Sequence, residues 1–237
     1  MLITSAQKRS HLSTQSLAVS VNNITLDCVA NEKLLGVMLN HNLDWSDHIR
    51  YTESKVKTKL YLLSRVKRFL TIHSRKIFYR SFIQPHLYYC CNVWGTTSTA
   101  NLEILERIQR RAIRLILDTD STVPTKDLYL RLNWLPLGLK VKLNRLILVF
   151  KALRQLAPNN INELFKVYHP SRYLRSASQH LLEIPRAKTE FFRRSFQVKG
   201  ANDFNSLPFN LKQLSTVHAF KKECHNYLLT QYLEEYF

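Results

Sequence analysis

Glycine is scarce in this chain, four residues in 237. Neither a GxGxxG run nor a GK[ST] triplet occurs, so glycine-built phosphate cradles are excluded and a nucleotide switch by those routes with them. The four cysteines, Cys28, Cys90, Cys91 and Cys224, form no CxxC pair. A zinc knuckle or dithiol redox site is therefore not written here, and a reducing, intracellular compartment suits so few thiols. No apolar run reaches the roughly 18 residues of a membrane span, and no secretory leader opens the chain. Adjacent aspartates are missing, as are histidines at metal-ligand spacing. Acids as a class are few, 17 against 35 Lys and Arg, for a net charge of +18.

What is present is cationic helix. Residues 50–80 hold ten Lys or Arg and a single acid, Glu53, which makes half of the net charge. A long basic helix face calls for a polyanion, and nucleic acid is the most abundant one in a cell. The plainer alternative is a solvated basic surface. Hydrophobic residues at 45% and aromatics at 11% supply a core, so disorder is excluded.

Residues 1–43 read as short strands: Leu2–Thr4, Leu17–Val21, Ile24–Leu26 and Leu34–Leu39, with Asn22-Asn23 as a hairpin turn. A helix then opens near Asn42–Asp47, capped by Asp44 or Ser46. Ile49, Val56, Leu60, Leu63 and Leu70 form its apolar stripe, with Lys67 as a violation. Lys57, Arg65 and Arg68 lie opposite the stripe, and Lys55 and Lys59 flank it. A second helix from Ser74 is almost wholly apolar and reads as buried to Trp94, Cys90 and Cys91 included, with a kink at Pro85. The third, 101–117, places Leu102, Leu105, Ile108, Ala112, Ile113 and Ile116 on one side. Arg107, Arg110, Arg111 and Arg114 share the other. These arginines either meet phosphates or snorkel over a neighbouring helix. A short helix over 126–132, a long one over 139–156 stopped by Pro158, irregular chain with short strands over 168–208, and a last helix over 216–232 complete the pattern. The expected class is α+β, mostly α, with three parts: 1–43, a helical bundle over 44–120, and a helical, partly irregular region over 121–237.

Chemistry by two metals needs clustered carboxylates to bridge the cations. Asp118-x-Asp120 and the Asp44, Asp47, His48 group are the nearest approaches, and both sit at helix ends where acids cap and turn the chain. No catalytic, metal or cofactor site is expected. Tyr61, Phe69 and Tyr79 fall on or near apolar positions and are expected to pack rather than stack on bases.

One resemblance ties these features together. Lys33-Leu34-Leu35-Gly36-Val37-Met38-Leu39 followed by Leu43-Asp44-Trp45-Ser46-Asp47-His48-Ile49 resembles the segment that closes the palm of non-LTR (LINE-type, jockey-like) retrotransposon reverse transcriptases. Ile83-Gln84-Pro85-His86-Leu87-Tyr88-Tyr89-Cys90-Cys91-Asn92-Val93-Trp94-Gly95 is similar to that family's downstream pattern. Leu105 to Arg114 looks like the helix that follows it. Leu132 to Leu137, Ser171 to Ser176, Ile184 to Thr189, Asn205 to Pro208 and Ala219 to Lys222 resemble pieces of the C-terminal tail, in order. The resemblance implies the end of a palm, a thumb-like bundle and a C-terminal region. The aromatic-Ala-Asp-Asp turn that carries catalysis in the family is not in this sequence and is expected upstream of Met1. A non-catalytic fragment is implied, gripping an RNA or DNA template–primer duplex without sequence preference. Lys55, Lys57, Arg65, Arg68, Arg107, Arg110, Arg111 and Arg114 would neutralise phosphates. The remaining palm and fingers are the other implied partner, and a membrane is not. The competing readings are a helical protein-interaction module and a decayed remnant without activity.

Overall fold

Two tight turns shape the amino-terminal part. The computed structural model describes residues 19–168 and 180–234, together with Met1 and Ile3. Asn22 and Asn23 both take positive φ, 51° and 64°. That geometry joins β1 (Val19–Val21) to β2 (Ile24–Leu26) in an antiparallel hairpin with Val21 opposite Ile24. The Leu34–Leu39 run is not one strand. Leu35 and Gly36 turn at φ 46° and 84°, and β3 (Asn31–Leu34) pairs antiparallel with β4 (Val37–Asn40). A glycine at positive φ is the residue such a turn accepts without strain, so Gly36 marks the bend. Leu2 and Thr4, the first two residues of Leu17–Val21 and the Ser171–Ser176 stretch lie outside the described residues.

The rest is helical: α1 (Ser46–Val66), α2 (Ile72–Phe78), α3 (Gln84–Tyr88), α4 (Cys91–Trp94), α5 (Thr99–Leu117) and α6 (Thr125–Leu132) come first. Then follow α7 (Leu137–Leu153), α8 (Asn159–Asn162), α9 (Glu190–Arg193), α10 (Phe196–Asn205), α11 (Phe209–Lys212) and α12 (Val217–Glu234). The class is α+β and mostly α. Asp44 starts α1 by accepting from both the Ser46 amide and its hydroxyl. Thr71 caps α2 and Ser98 caps α5, each accepting an amide three residues on. The bend expected at Pro85 takes the form of a π-helical turn over Tyr79–Ile83, after which Pro85 sits in the first turn of α3. Pro has no N–H to give, so the hydrogen-bond ladder widens just before it.

The expected stripe of α1 is inside. Ile49, Val56, Leu60 and Leu63 are buried, and Leu70 lies past the helix end. The α2–α4 segment departs from expectation. Tyr79, Ile83, Leu87, Cys91 and Trp94 are buried, but Ile77, Phe82 and Tyr89 are about half exposed and Cys90 is exposed. The segment crosses between α1 and α5 and only one of its sides is covered. Cys90 also stands at φ 49°, in the turn between α3 and α4, which points its neighbour Cys91 inward instead.

Two apolar clusters meet along α7. Leu137 and Val141 join the first, with α1 to α6. Leu143, Leu146, Val149 and Phe150 join the second, with Phe165, Leu182, α10 and α12, where Phe150 stacks on Phe220 at 4.0 Å. The long helix ends at Leu153, five residues before Pro158, which instead opens α8. The 168–208 stretch holds more helix than expected, since Ser195 caps the ten-residue α10. Its apolar residues Val198, Ala201 and Phe204 are three apart and face the core.

Gly95 is where α4 touches α7. A Cβ there would lie 2.2 Å from the Cys91 carbonyl oxygen and 2.3 Å from Val141 Cγ1. Gly95→Ala is therefore expected to lower unfolding free energy by about 2–3 kcal/mol through overpacking, read as a lower urea midpoint at unchanged slope.

Candidate nucleic-acid interface

Helices α1 and α5 are packed side by side and run in the same direction. At their amino ends the Asp44 carbonyl accepts from Thr97 Oγ1 at 3.0 Å and from Asn101 Nδ2 at 3.3 Å. At their carboxyl ends Lys67 Nζ lies 2.6 Å from Asp118 Oδ1. This explains the cation that broke the α1 stripe. Lys67 sits in a 3-10 turn after α1 and reaches across to α5.

Arg75 completes that joint. Its side chain is only 9% exposed. Nε donates to the Lys67 carbonyl at 3.0 Å, and Nη1 points to the carbonyls of Leu115 and Ile116 at 3.5 and 3.3 Å. Asp118 stands 3.6 Å away as counter-ion. Nothing in the local pattern around Arg75 marks it as buried, because the Leu115 and Ile116 carbonyls and Asp118 lie about 40 residues further along the chain.

The eight cations expected to meet phosphates fall into distinct settings. Successive α-helical residues turn by about 100°, so Lys55 and Lys57 stand on opposite flanks of the buried stripe and Arg65 lies on the outer face. Lys57 is exposed and paired with Glu53 at 2.8 Å. Lys55 belongs to a different group. Its Nζ lies 5.5 Å from the Tyr51 ring centre, and Lys33 Nζ, from β3, lies 4.8 Å from the same ring and 3.0 Å from the Tyr51 hydroxyl. The Lys33 hydrogen bond pulls the Tyr51 hydroxyl below its ordinary pKa, and Lys55 adds to that. Lys59 and Lys55 also act on His86 of α3, whose pKa is lowered first by burial and then by these two cations. Lys33, Lys55, Lys59 and His86 thus share one basic flank, and α1 presents no acid on it. Lys33 and His86 are members that spacing within one helix could not supply.

Arg65 lies over the Tyr61 ring at 5.9 Å and Arg68 over Phe69 at 4.7 Å. Both aromatics are exposed, Tyr61 by 63% and Phe69 by 74%, whereas Tyr79 is buried. The packing role expected of all three holds for Tyr79 alone. On α5, Arg107 and Arg111 are exposed one turn apart and have no ion pair among the described residues. Arg110 is held by Glu103. Arg114 folds back onto the next loop, donating to the carbonyls of Asp120 at 3.1 Å and Val123 at 3.3 Å.

The acids at the two helix ends weighed as metal ligands hold structural roles. Asp118 pairs with Lys67 and Arg75, and Asp120 accepts from the Thr122 amide and hydroxyl. Asn40 donates to both Asp44 and Asp47, and the His48 ring accepts from the Met38 amide. Among the described residues no three His, Cys, Asp or Glu gather as metal ligands. Among the described residues no helix is long and apolar enough to cross a membrane.

Comparison with curated proteins gives this geometry its context. Over 126 residues the chain is 25% identical to a probable RNA-directed DNA polymerase from transposon BS of Drosophila melanogaster, a stretch covering 52% of this chain and 14% of that protein. It is 26% identical over 87 residues to a probable RNA-directed DNA polymerase from transposon X-element of the same fly, covering 35% of this chain and 10% of that protein. The RNA-directed DNA polymerase from mobile element jockey of Drosophila funebris is 24% identical over 127 residues, covering 52% of this chain and 14% of that protein. The chain is related to the RNA-directed DNA polymerases of non-LTR retrotransposons. These stretches span no more than about a seventh of the relatives' own length. No family model matches the chain, and no solved structure does.

Proposed function

We propose that residues 44–120 act as a thumb-like grip on a template–primer duplex, within or alongside an RNA-directed DNA polymerase. The observation that carries this reading is the basic flank of Lys33, Lys55, Lys59 and His86 on α1 and its neighbours, with Arg107 and Arg111 unpaired on the adjacent parallel helix. Lysines outside ion pairs attract a phosphate backbone regardless of sequence, because binding releases the counter-ions condensed on it. The exposed Tyr61 and Phe69 add surfaces on which a base or sugar can lie. Lys57, Arg110 and Arg114, already engaged, contribute less than the other five of the original eight.

Catalysis by this chain alone is not part of the proposal. We assign the exposed β1–β2 hairpin, with Val19, Val21, Ile24 and Leu26 all about half or more exposed, to contact with a palm such as the much longer relatives could supply. A free apolar hairpin invites pairing.

The test is a salt titration of duplex binding. Four to six phosphate contacts give a slope of log affinity against log salt of about −3.5 to −5.5. Binding that ignores salt, or is missing at low salt, would remove the nucleic-acid reading and favour a protein-interaction module.

A further inference from the structure

A second basic site lies away from the α1 flank. A cavity of about 180 Å³ opens between the π-helical turn, α5, the start of α7 and α12, lined among others by Tyr79, Arg80, Tyr88, Trp134, Lys140 and His225. It is larger than the roughly 150 Å³ apolar void that accepts benzene in an engineered protein, but its wall is polar. None of its described lining residues is acidic. Neither Arg80 nor Lys140 has an ion pair among the described residues.

Two polar atoms inside are poorly satisfied. The Tyr79 hydroxyl, on a residue 2% exposed, faces the Gln109 and Tyr88 side chains but completes a well-formed hydrogen bond with neither, and His225 Nε2 completes none. The neighbours of Tyr79 also serve other partners. Gln109 Nε2 donates to the Tyr88 hydroxyl and the Leu135 carbonyl, and Gln109 Oε1 accepts from Tyr129. Glu106, the acid whose field reaches Tyr79 and Tyr88, is turned to the Tyr129 hydroxyl and the Gly138 amide. A buried hydroxyl left unpaired costs about 1–3 kcal/mol, which a ligand accepting its proton would recover.

We propose that this cavity binds a phosphate group, with Arg80 and Lys140 as charge partners and the Tyr79 hydroxyl as hydrogen-bond donor. Unlike the grip on α1 and α5, it does not rest on the polymerase reading. The local electrostatics agree with it. Burial, then the nearby Lys221, lowers the pKa of the Lys140 ammonium. Burial, then Lys140, lowers that of His225, where Lys221 acts in the same sense. Cations crowded without a counter-charge are relieved by an anion placed among them. The phosphate can be a free ion or small ester, or the end of a nucleic-acid strand; the chemistry recognised is the same.

Trp134 lines the cavity and reports on it. The full chain is titrated with inorganic phosphate, with a 5′-phosphorylated trithymidylate and with the same trinucleotide lacking its 5′ phosphate, all at matched ionic strength. A saturable fluorescence change that vanishes in Trp134→Phe is expected for at least one phosphate-ended probe. Its dissociation constant should rise tenfold or more in Arg80→Gln and Lys140→Met. Saturation at tenfold lower concentration by the phosphorylated trinucleotide assigns the site to strand ends; saturation by inorganic phosphate at the same concentration assigns it to free phosphate. Absence of a saturable change with every probe, or equal constants in the parent and both variants, overturns the proposal. If Lys140→Met unfolds by circular dichroism, Arg80→Gln decides alone, since Arg80 is exposed and outside the core. A Lys55→Gln, Arg107→Gln chain that loses duplex binding but keeps this response separates the two sites.

Discussion

Arg75→Met is expected to destabilise the chain by about 3 kcal/mol, the order seen when a buried cation is removed from its partners. The guanidinium is nearly dry and answers three carbonyls and one carboxylate. Methionine fills much the same volume, so the loss is polar rather than steric. The acceptors it leaves behind are partly buried, and water reaches them poorly. For a chain of this size the change corresponds to a fall in Tm of roughly 6–12 °C, measurable by calorimetry. Arg75→Lys is expected to recover little, because one ammonium cannot span acceptors in the turn after α1 and on α5 as a planar fork does. A loss below about 1 kcal/mol for Arg75→Met would show that the two helices are held by their apolar faces alone.

The second large effect concerns affinity. Replacing Lys55, Lys59, Arg107 and Arg111 together by glutamine is expected to weaken duplex binding roughly 10³-fold near 0.1 M salt and to shrink the salt slope by about 3 to 4. Each of the four is at least partly exposed and none is in an ion pair among the described residues. Fold and Tm therefore change little, and circular dichroism checks that. The informative contrast is Lys57→Gln with Arg110→Gln. Those side chains already face Glu53 and Glu103, so their loss is expected to cost less than tenfold. Fluorescence anisotropy on a labelled duplex reads both. Affinity within threefold of the parent for the fourfold variant would place the binding surface elsewhere.

Helical period reveals apolar stripes but not what covers them. Helical period alone placed Ile49, Val56, Leu60 and Leu63 inside α1 and Leu105, Ile108, Ala112, Ile113 and Ile116 inside α5, because an apolar stripe must be covered by something. Asn22-Asn23 was legible because asparagine tolerates positive φ. The second turn, at Leu35-Gly36, was hidden by a run of apolar residues that reads as continuous strand until its glycine is given weight. Ile77, Phe82 and Tyr89 were misjudged for another reason. Period says which sides of a segment are greasy, not how many neighbours arrive to cover them, and α2–α4 is covered on one side only. Tyr61 and Phe69 stay exposed on the same account. Of the basic flank, Lys55 could be named from its own helix. Lys33 and His86 join it from β3 and α3, so their membership is a property of packing. Arg75 is the extreme case: every local cue for a charged residue points to solvent, and only the meeting of two distant helix ends reverses it.

That meeting has an electrical side. Peptide dipoles in α1 and α5 point the same way, so they add where an antiparallel pair would cancel. Roughly half a unit of negative charge gathers at the carboxyl end of each rod, and both halves converge on one guanidinium. Arg75 therefore balances the two rods jointly, and pulling either end away strips it of part of its counter-charge. At the opposite end the two amino termini leave a positive bias beside Asp44. An anion beside that end is therefore more stable than one beside the carboxyl ends.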